Sequence, residues 1–357
     1  MITISLCMIV KNEEKNLPRC LDSIKDVVDE IIIVDTGSTD QTKEIAARYT
    51  HQIYDFKWID NFAAARNFAF DQGNMQYCMW LDADDVLEEK EEFLHLKQSL
   101  TAQTDMVMMK YHTAFDEEGN PTFTYYRERI IRNQADYRWE GAIHEAIAPR
   151  GNIFHSEVAV AHRKTGSSDP DRNLRIFEKM ISSGCKLTPR EQFYYARELT
   201  YHGRNEEGAA ILEQFLYEDR GWIENKIEAC RNLAGCYERL NRPESAFQSL
   251  VRSFRYAAPR AETCCDLGRF FINRKEYANA VYWYESALRC PYNEEQGGFT
   301  KPNCYGYTPY IQLCVCWYYL GDTEKAVQYN EEAGRVRPQS QAYQFNKQFF
   351  ESIRKKE

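Results

Sequence analysis

The first 165 residues alternate between short apolar runs and amphipathic stretches. The runs "TISLCMIV" (3–10), "EIIIVD" (30–35), "HQIYDF" (51–56), "YCMWLD" (77–82) and "DMVMMKY" (105–111) have the length and β-rich content of strands, and helix-like segments separate the first four. This alternation predicts βαβ units, and with them a parallel sheet with right-handed crossovers. Ligands of such sheets bind beyond the carboxyl ends of the strands, where Asp35 and Asp82 both fall.

After about residue 185 the strand signal disappears and long helical patterns rich in Tyr, Leu, Ala and Arg take over. A repeat of about 34 residues emerges. From Ala261 it reads Cys264, Leu267, Gly268, Phe271, Ala280, Tyr284, Ala287 and Pro291; from Tyr307 it reads Tyr310, Leu313, Cys314, Trp317, Ala326, Asn330, Ala333 and Pro338. Ile227 starts a third copy (Leu233, Ala234, Tyr237, Ala246, Leu250, Ser253), and a weaker one starts near Pro189 (Tyr195, Ala196, Leu199, Gly208, Leu212). Small residues at offsets 8, 20 and 27 let two antiparallel helices approach closely, while large ones at 4, 7, 11 and 24 fill the seams. The pattern resembles the tetratricopeptide repeat, a helix–turn–helix unit that stacks into a solenoid. Two departures are the missing Trp at offset 4 and the stretch 293–304, which reads as an inserted loop. The expected organisation is an α/β domain over 1–165, a linker over 166–188 and an all-α repeat domain over 189–357.

Composition narrows the partners. The net charge is −9 and no Lys/Arg-rich block occurs, which argues against nucleic acid and anionic membranes. The 12 cysteines are scattered through apolar segments without a CxxC pair, as expected of reduced thiols rather than disulfides or zinc ligands. Residues 1–10 lack the features of a signal peptide, and no apolar run approaches the roughly 18 residues a membrane span requires. The expectation is a soluble, cytoplasmic protein with no membrane span.

Several motifs at the predicted strand ends carry chemistry. In "VDTGSTDQT", Gly37 permits a turn and Ser38, Thr39 and Asp40 can cap the next helix, whereas Asp35 is left to accept from a base N–H or a ribose hydroxyl. In "KNEEKNLPRCLDSI", Asn12 or Glu13 can cap a helix, and Glu13 shares the sheet edge with Asp35. Arg66 and Asn67 form a polar pair on a helix of Ala and Phe, suited to a pocket for base or phosphate, or to an Arg reaching the surface. In "LDADDVL", Asp82 and Asp84 share one face if the segment is extended, and two such carboxylates repel unless a cation lies between them. Mg²⁺ or Mn²⁺ prefers such oxygens. Asp85, Glu88 and Glu89 are explained by a helix N-terminus alone. His162 ends an alternating strand and can complete a metal site, while Glu140 and Glu145 in "WEGAIHEAI" are candidate general bases or salt-bridge partners for Arg132 or Arg138.

In order, "CMIVKNEE", "VDTGSTD", "DNFAAARN", "LDADD", "GAIHE" and "VAVAHRKTG" resemble a family 2 glycosyltransferase of the GT-A fold over residues 1 to about 165. With the C-terminal repeats, the chain is most similar to the repeat-bearing bacterial members of that family, including those that S-glycosylate bacteriocin peptides. The resemblance implies that Asp35 contacts the nucleobase and that Arg66 and Asn67 lie on the helix beside the nucleotide. It further implies that Val10, Asn12, Glu13, Asp82 and Ala83 border the nucleotide sugar. Asp82 and Asp84 match the family's DxD motif, with Asp84 the direct ligand of Mn²⁺ or Mg²⁺ and His162 a third ligand. The family's usual acidic pair is replaced by "IHE", so Glu145 is favoured over Glu140 as base. The implied activity is inverting transfer of a hexose-type sugar from a nucleoside-diphosphate sugar, foremost a UDP-sugar.

A solenoid presents extended surfaces suited to peptides or a second subunit, which favours a polypeptide acceptor, with homodimerisation as a second use. The rivals are a transferase acting on lipid-linked or surface glycans and a non-catalytic scaffold that only holds a nucleotide sugar. A membrane anchor or basic amphipathic helix is expected of the first, and loss of the acidic motif of the second; the sequence contains neither.

Overall fold

The computed structural model describes all residues except 116–118, 120, 164, 166–168, 294–297 and 355–357. They form two compact units, Met1–Lys186 and Leu187–Glu357. Among the described residues no helix is long and apolar enough to cross a membrane.

The first unit runs β1 (Ile4–Val10), α1 (Leu17–Ile24), β2 (Glu30–Asp35), α2 (Thr42–Ala46), β3 (Ile53–Asp55), α3 (Phe62–Asp71), β4 (Tyr77–Met79), β5 (Asp85–Leu87), α4 (Lys90–Ser99), β6 (Met106–Phe115), β7 (Pro121–Arg132), β8 (Trp139–Glu140), β9 (Ala146–Ile147), β10 (Ile153–His162) and α5 (Arg172–Ser182). Eight strands form one sheet in the order β3-β2-β1-β4-β7-β6-β10-β5, and β8 and β9 form a separate ribbon. The pairs β1–β2, β2–β3 and β1–β4 are parallel, so the order reverses at β1 and opens a crevice at the carboxyl ends of β1, β2 and β4. The pleat of β1 divides the core. Ile4, Leu6, Met8 and Val10 pack with Leu17, Leu21 and Phe93 on one face, and Cys7 joins Ile32, Phe70 and Trp80 on the other.

The parallel half follows the sequence pattern, whereas the other half differs from it. β7 pairs antiparallel with both β4 and β6, so the sheet is mixed. Asp85, expected to begin a helix, lies in β5, and α4 starts only at Lys90. Of the expected linker 166–188, residues 166–168 lie outside the described residues. The stretch from 169 carries α5, which buries Leu174, Ile176 and Phe177, and belongs to the first unit.

The second unit is a series of antiparallel helix pairs: α6 (Pro189–Tyr201) with α7 (Asn205–Glu218), α8 (Ile223–Arg239) with α9 (Pro243–Arg252), α10 (Ala261–Asn273) with α11 (Tyr277–Arg289), and α12 (Tyr307–Tyr319) with α13 (Thr323–Val336). A last helix, α14 (Gln341–Arg354), packs on α13. The repeat positions act as their sizes require: a Cβ built on Gly268 would lie 2.6 Å from the Tyr284 ring, so the glycine is where α11 closes on α10. Thr188 and Glu191 form a capping box at the start of α6.

Candidate active site

At the switch point, β1–β2 pairing sets Val10 opposite Asp35. The chain leaves β1 through Asn12, whose φ of 55° is left-handed. Its N–H donates to Ser38 Oγ (2.9 Å), its Oδ1 accepts from Thr39 N–H (2.8 Å), and Glu13 N–H donates to Thr42 Oγ1 (2.7 Å). Asn12 and Glu13 therefore tie the two strand-end loops together, and the helix cap falls at Asn16 instead. Asp35 also holds a turn: its Oδ2 accepts from Gly37 and Ser38 N–H, both at 2.9 Å. Its Oδ1 is buried without a partner among the described residues, an acceptor a bound donor would satisfy.

Asn61 caps α3 by accepting from Ala64 N–H, which brings Arg66 inward one turn later. Arg66 Nη2 donates to Asp82 Oδ1 (2.7 Å) and Nε to Glu145 Oε1 (2.6 Å), while the guanidinium lies over the rings of Trp80 and Trp139. Burial opposes its charge, but the two carboxylates outweigh burial and raise its pKa. Its Nη1 is buried and has no hydrogen-bond partner among the described residues. Asn67 faces the other way, and its amide donates to Trp139 O (3.0 Å) and accepts from Trp139 N–H (2.9 Å), fastening α3 to β8.

The acidic stretch is a turn, since Asp85 N–H donates to Asp82 O (3.0 Å). The extended geometry that would put Asp82 and Asp84 on one face is absent. Asp82 goes to Arg66, Ala83 is buried, and Asp84 meets His162 Nδ1 at 3.4 Å. Antiparallel pairing of β5 with β10 sets His162 opposite Asp85. Asp85 is fully buried, accepting from Arg129 Nη1 (3.0 Å) and from the Tyr111 hydroxyl (2.9 Å). Asp84, Asp85 and His162 offer three ligand atoms within 4.8 Å of one another. Burial pushes the Asp84 carboxyl up to about 6; Asp82, Asp85 and Glu13 add to the rise and His162 opposes it. The hydrogen bond that His162 Nδ1 donates to Asp85 raises the His162 pKa, against burial. Crowded carboxylates beside an imidazole suit Mn²⁺ or Mg²⁺. Asp85 is already committed to Arg129 and Tyr111, which leaves Asp84 and His162 as the more accessible donors, and Asp82 Oδ1 is taken by Arg66.

Of the two candidate bases, Glu140 is exposed on β8, opposite Ala146, whereas Glu145 is drawn in by Arg66 with its side chain 11% accessible. Sequence reasoning missed Asp85, Tyr111, Arg129 and the Trp80–Trp139 pair. The signal for Arg129 was its place in the strand-like run "TYYRERII", where a charge at an inward position demands a buried partner.

The fold is that of a GT-A domain followed by tetratricopeptide-like repeats. The chain belongs to glycosyl transferase family 2, whose sequence model matches residues 5–156. It is 38% identical over 149 residues to a TPR repeat-containing protein of Synechococcus elongatus, covering 41% of this chain and 36% of that one. It is 26% identical over 233 residues to the SPbeta prophage-derived glycosyltransferase SunS of Bacillus subtilis, covering 60% of this chain and 53% of SunS. An uncharacterized glycosyltransferase of Rickettsia felis is 32% identical over 217 residues, covering 50% of this chain and 76% of the relative. The chain thus spans from about a third to about half of the length of the first two relatives.

Proposed function

We propose that the protein is an inverting, metal-dependent glycosyltransferase that moves a hexose-type sugar from a nucleoside-diphosphate sugar, a UDP-sugar foremost, to a polypeptide acceptor. The observation that carries this reading is the Asp82–Arg66–Glu145 bridge beside the Asp84–His162 pair, at the switch point of a family 2 domain. Asp35 Oδ1 accepts from the base of the donor, and the loops tied by Asn12 and Glu13 form the rim around it. Arg66 fixes the direction of Glu145, which removes the proton from the acceptor as its nucleophilic atom attacks the anomeric carbon opposite the leaving diphosphate. Asp84 and His162 would hold a divalent cation, whose chemistry would be to neutralise the charge that develops on that diphosphate. The helix pairs of the second unit support a polypeptide acceptor, since stacked repeats of this kind present extended surfaces.

The test measures nucleoside diphosphate release and transfer with UDP-sugars, with and without Mn²⁺. Asp84→Ala should lower both by at least ~100-fold, and near-normal turnover would remove the metal assignment. Glu145→Gln should cost about 10²–10⁴-fold in transfer while Glu140→Gln stays near wild type; the reverse order would move the base to Glu140. Donor binding without any release of nucleoside diphosphate would favour the scaffold reading.

A further inference from the structure

Asp85, fully buried on β5, is held at both carboxylate oxygens. Its Oδ2 accepts from Arg129 Nη1 on β7 (3.0 Å) and from the backbone N–H of Asp82 (3.1 Å). Its Oδ1 accepts from the Tyr111 hydroxyl on β6 (2.9 Å) and lies 3.3 Å from Nδ1 of His162, the last residue of β10. The Arg129 guanidinium is itself clamped, with its Cζ 3.8 Å from the centre of the Trp80 ring and 4.3 Å from that of Tyr111. Antiparallel pairing of β5 with β10 sets Asp85 and His162 opposite each other, so sheet register fixes their contact.

A neutral imidazole has one proton to place, and the neighbours of its two nitrogens decide where it goes. Three oxygens face Nδ1: Asp85 Oδ1, the Tyr111 hydroxyl at 3.0 Å and Asp84 Oδ1 at 3.4 Å. The single hydroxyl proton of Tyr111 goes to Asp85, which leaves that oxygen an acceptor toward His162. A bare Nδ1 would set its lone pair against two carboxylates, and turning the hydroxyl toward it would strip the buried Asp85 Oδ1 of its donor. We propose that Asp85 is a positioning residue that fixes His162 as the Nδ1–H tautomer and so makes Nε2 its lone-pair nitrogen, the atom open to a cation. A carboxylate that holds the far nitrogen of a ligating histidine sets both the ring's direction and its basicity. The acidic run thus divides its work, with Asp84 facing the site and Asp85 orienting the partner of Asp84. The use of Nε2 rests on the reading of Asp84 and His162 as metal ligands, whereas the tautomer does not.

The test is a long-range ¹H–¹⁵N correlation spectrum of the metal-free full chain with ¹⁵N-labelled histidine, which separates the two tautomers. It is read at the alkaline end of the His162 titration, where the ring is neutral, and His162→Gln assigns the signal. Wild type should carry the proton on Nδ1. In Asp85→Asn the amide oxygen belongs at the Oδ2 position, which receives two donors, so its NH₂ takes the place of Oδ1 and donates to Nδ1. The ring proton should then move to Nε2, and the Mn²⁺ dissociation constant, read by electron paramagnetic resonance, should rise by roughly 10–100-fold. Tyr111→Phe retains Asp85 Oδ1 and should keep the Nδ1–H tautomer. A wild-type ring with its proton on Nε2, or a flip in Tyr111→Phe, would overturn the proposal. So would weaker Mn²⁺ binding by Asp85→Asn without a change of tautomer, since Asp85 would then be a ligand itself. A flipped tautomer with unchanged Mn²⁺ affinity would remove His162 from the metal ligands and leave the role of Asp85 standing, so the two readings fail separately. The spectra of wild type and Tyr111→Phe decide the tautomer even if Asp85→Asn does not fold.

Discussion

Arg66 holds two carboxylates on one guanidinium, and the planar fork is what allows it. Its Nε and Nη2 reach Glu145 and Asp82 while its face packs on Trp80 and Trp139. A lysine keeps the charge but has neither the fork nor the flat face. Arg66→Lys should therefore lower kcat/KM for transfer by roughly 10–100-fold, read as nucleoside diphosphate release, whereas a value within about threefold of wild type would show that the bridge does not orient the base. Glu30, at the opposite end of β2, illustrates a structural carboxylate. Burial pushes its pKa up, but donors from Asn74, Ser5 and Gln52 outweigh burial and leave it below the ordinary value. A depressed folded pKa adds stability that is fully present above the unfolded value and is lost as pH falls through the folded one. Glu30→Gln should accordingly cost about 1–3 kcal/mol at pH 7, and the gap to wild type should narrow as urea melts move below about pH 4.5. A gap that is constant from pH 7 to pH 3 would mean that charge is irrelevant there.

Among the elements, the closest approach in the repeats is set by glycine. At Gly268 an added Cβ would meet the Tyr284 ring at 2.6 Å, inside any ordinary contact. Gly268→Ala should destabilise the second unit by about 1–3 kcal/mol, and Tyr284→Leu in the same chain should recover part of the loss; additive losses would place the strain elsewhere. Features of this kind were legible in the sequence because they recur within one helix pair. So were β1, β2 and β3, whose apolar runs and intervening helices are local signals. The mixed half of the sheet was not legible, because β5, β7 and β10 are defined by partners distant in the chain. Asp85 finds Arg129 across 44 residues, and so looked like a helix start. The grouping of Asp82 with Asp84 failed for a local reason: the alternation rule holds for extended chain, and the residues lie in a turn. No sequence pattern reveals that the Asn67 amide fits the backbone of Trp139.

At the scale of the whole molecule, each unit has its own apolar core: Leu6, Leu21 and Phe93 in the first, Phe193, Leu212 and Leu233 in the second. The switch-point residues Asp35, Arg66, Asp84 and His162 all belong to the first unit. A ligand bound there adds its free energy directly to the unfolding of that unit, by mass action. At about 100 times Kd the gain is roughly 2.7 kcal/mol, and a domain of this size moves by about 2–4 °C per kcal/mol. Calorimetry with UDP and Mn²⁺ should therefore raise the transition of the first unit by about 5–10 °C. Hydrogen exchange assigns that transition, because amides of β1 and β2 should gain protection while those of α10 and α11 should not. Asp84→Ala should remove the Mn²⁺-dependent part of the shift and keep the part due to UDP alone, since Asp35 is untouched. If α10 and α11 gained as much protection as β1 and β2, nucleotide binding would have to stabilise both units. If neither UDP nor Mn²⁺ moved any transition, the switch point would not be a nucleotide site.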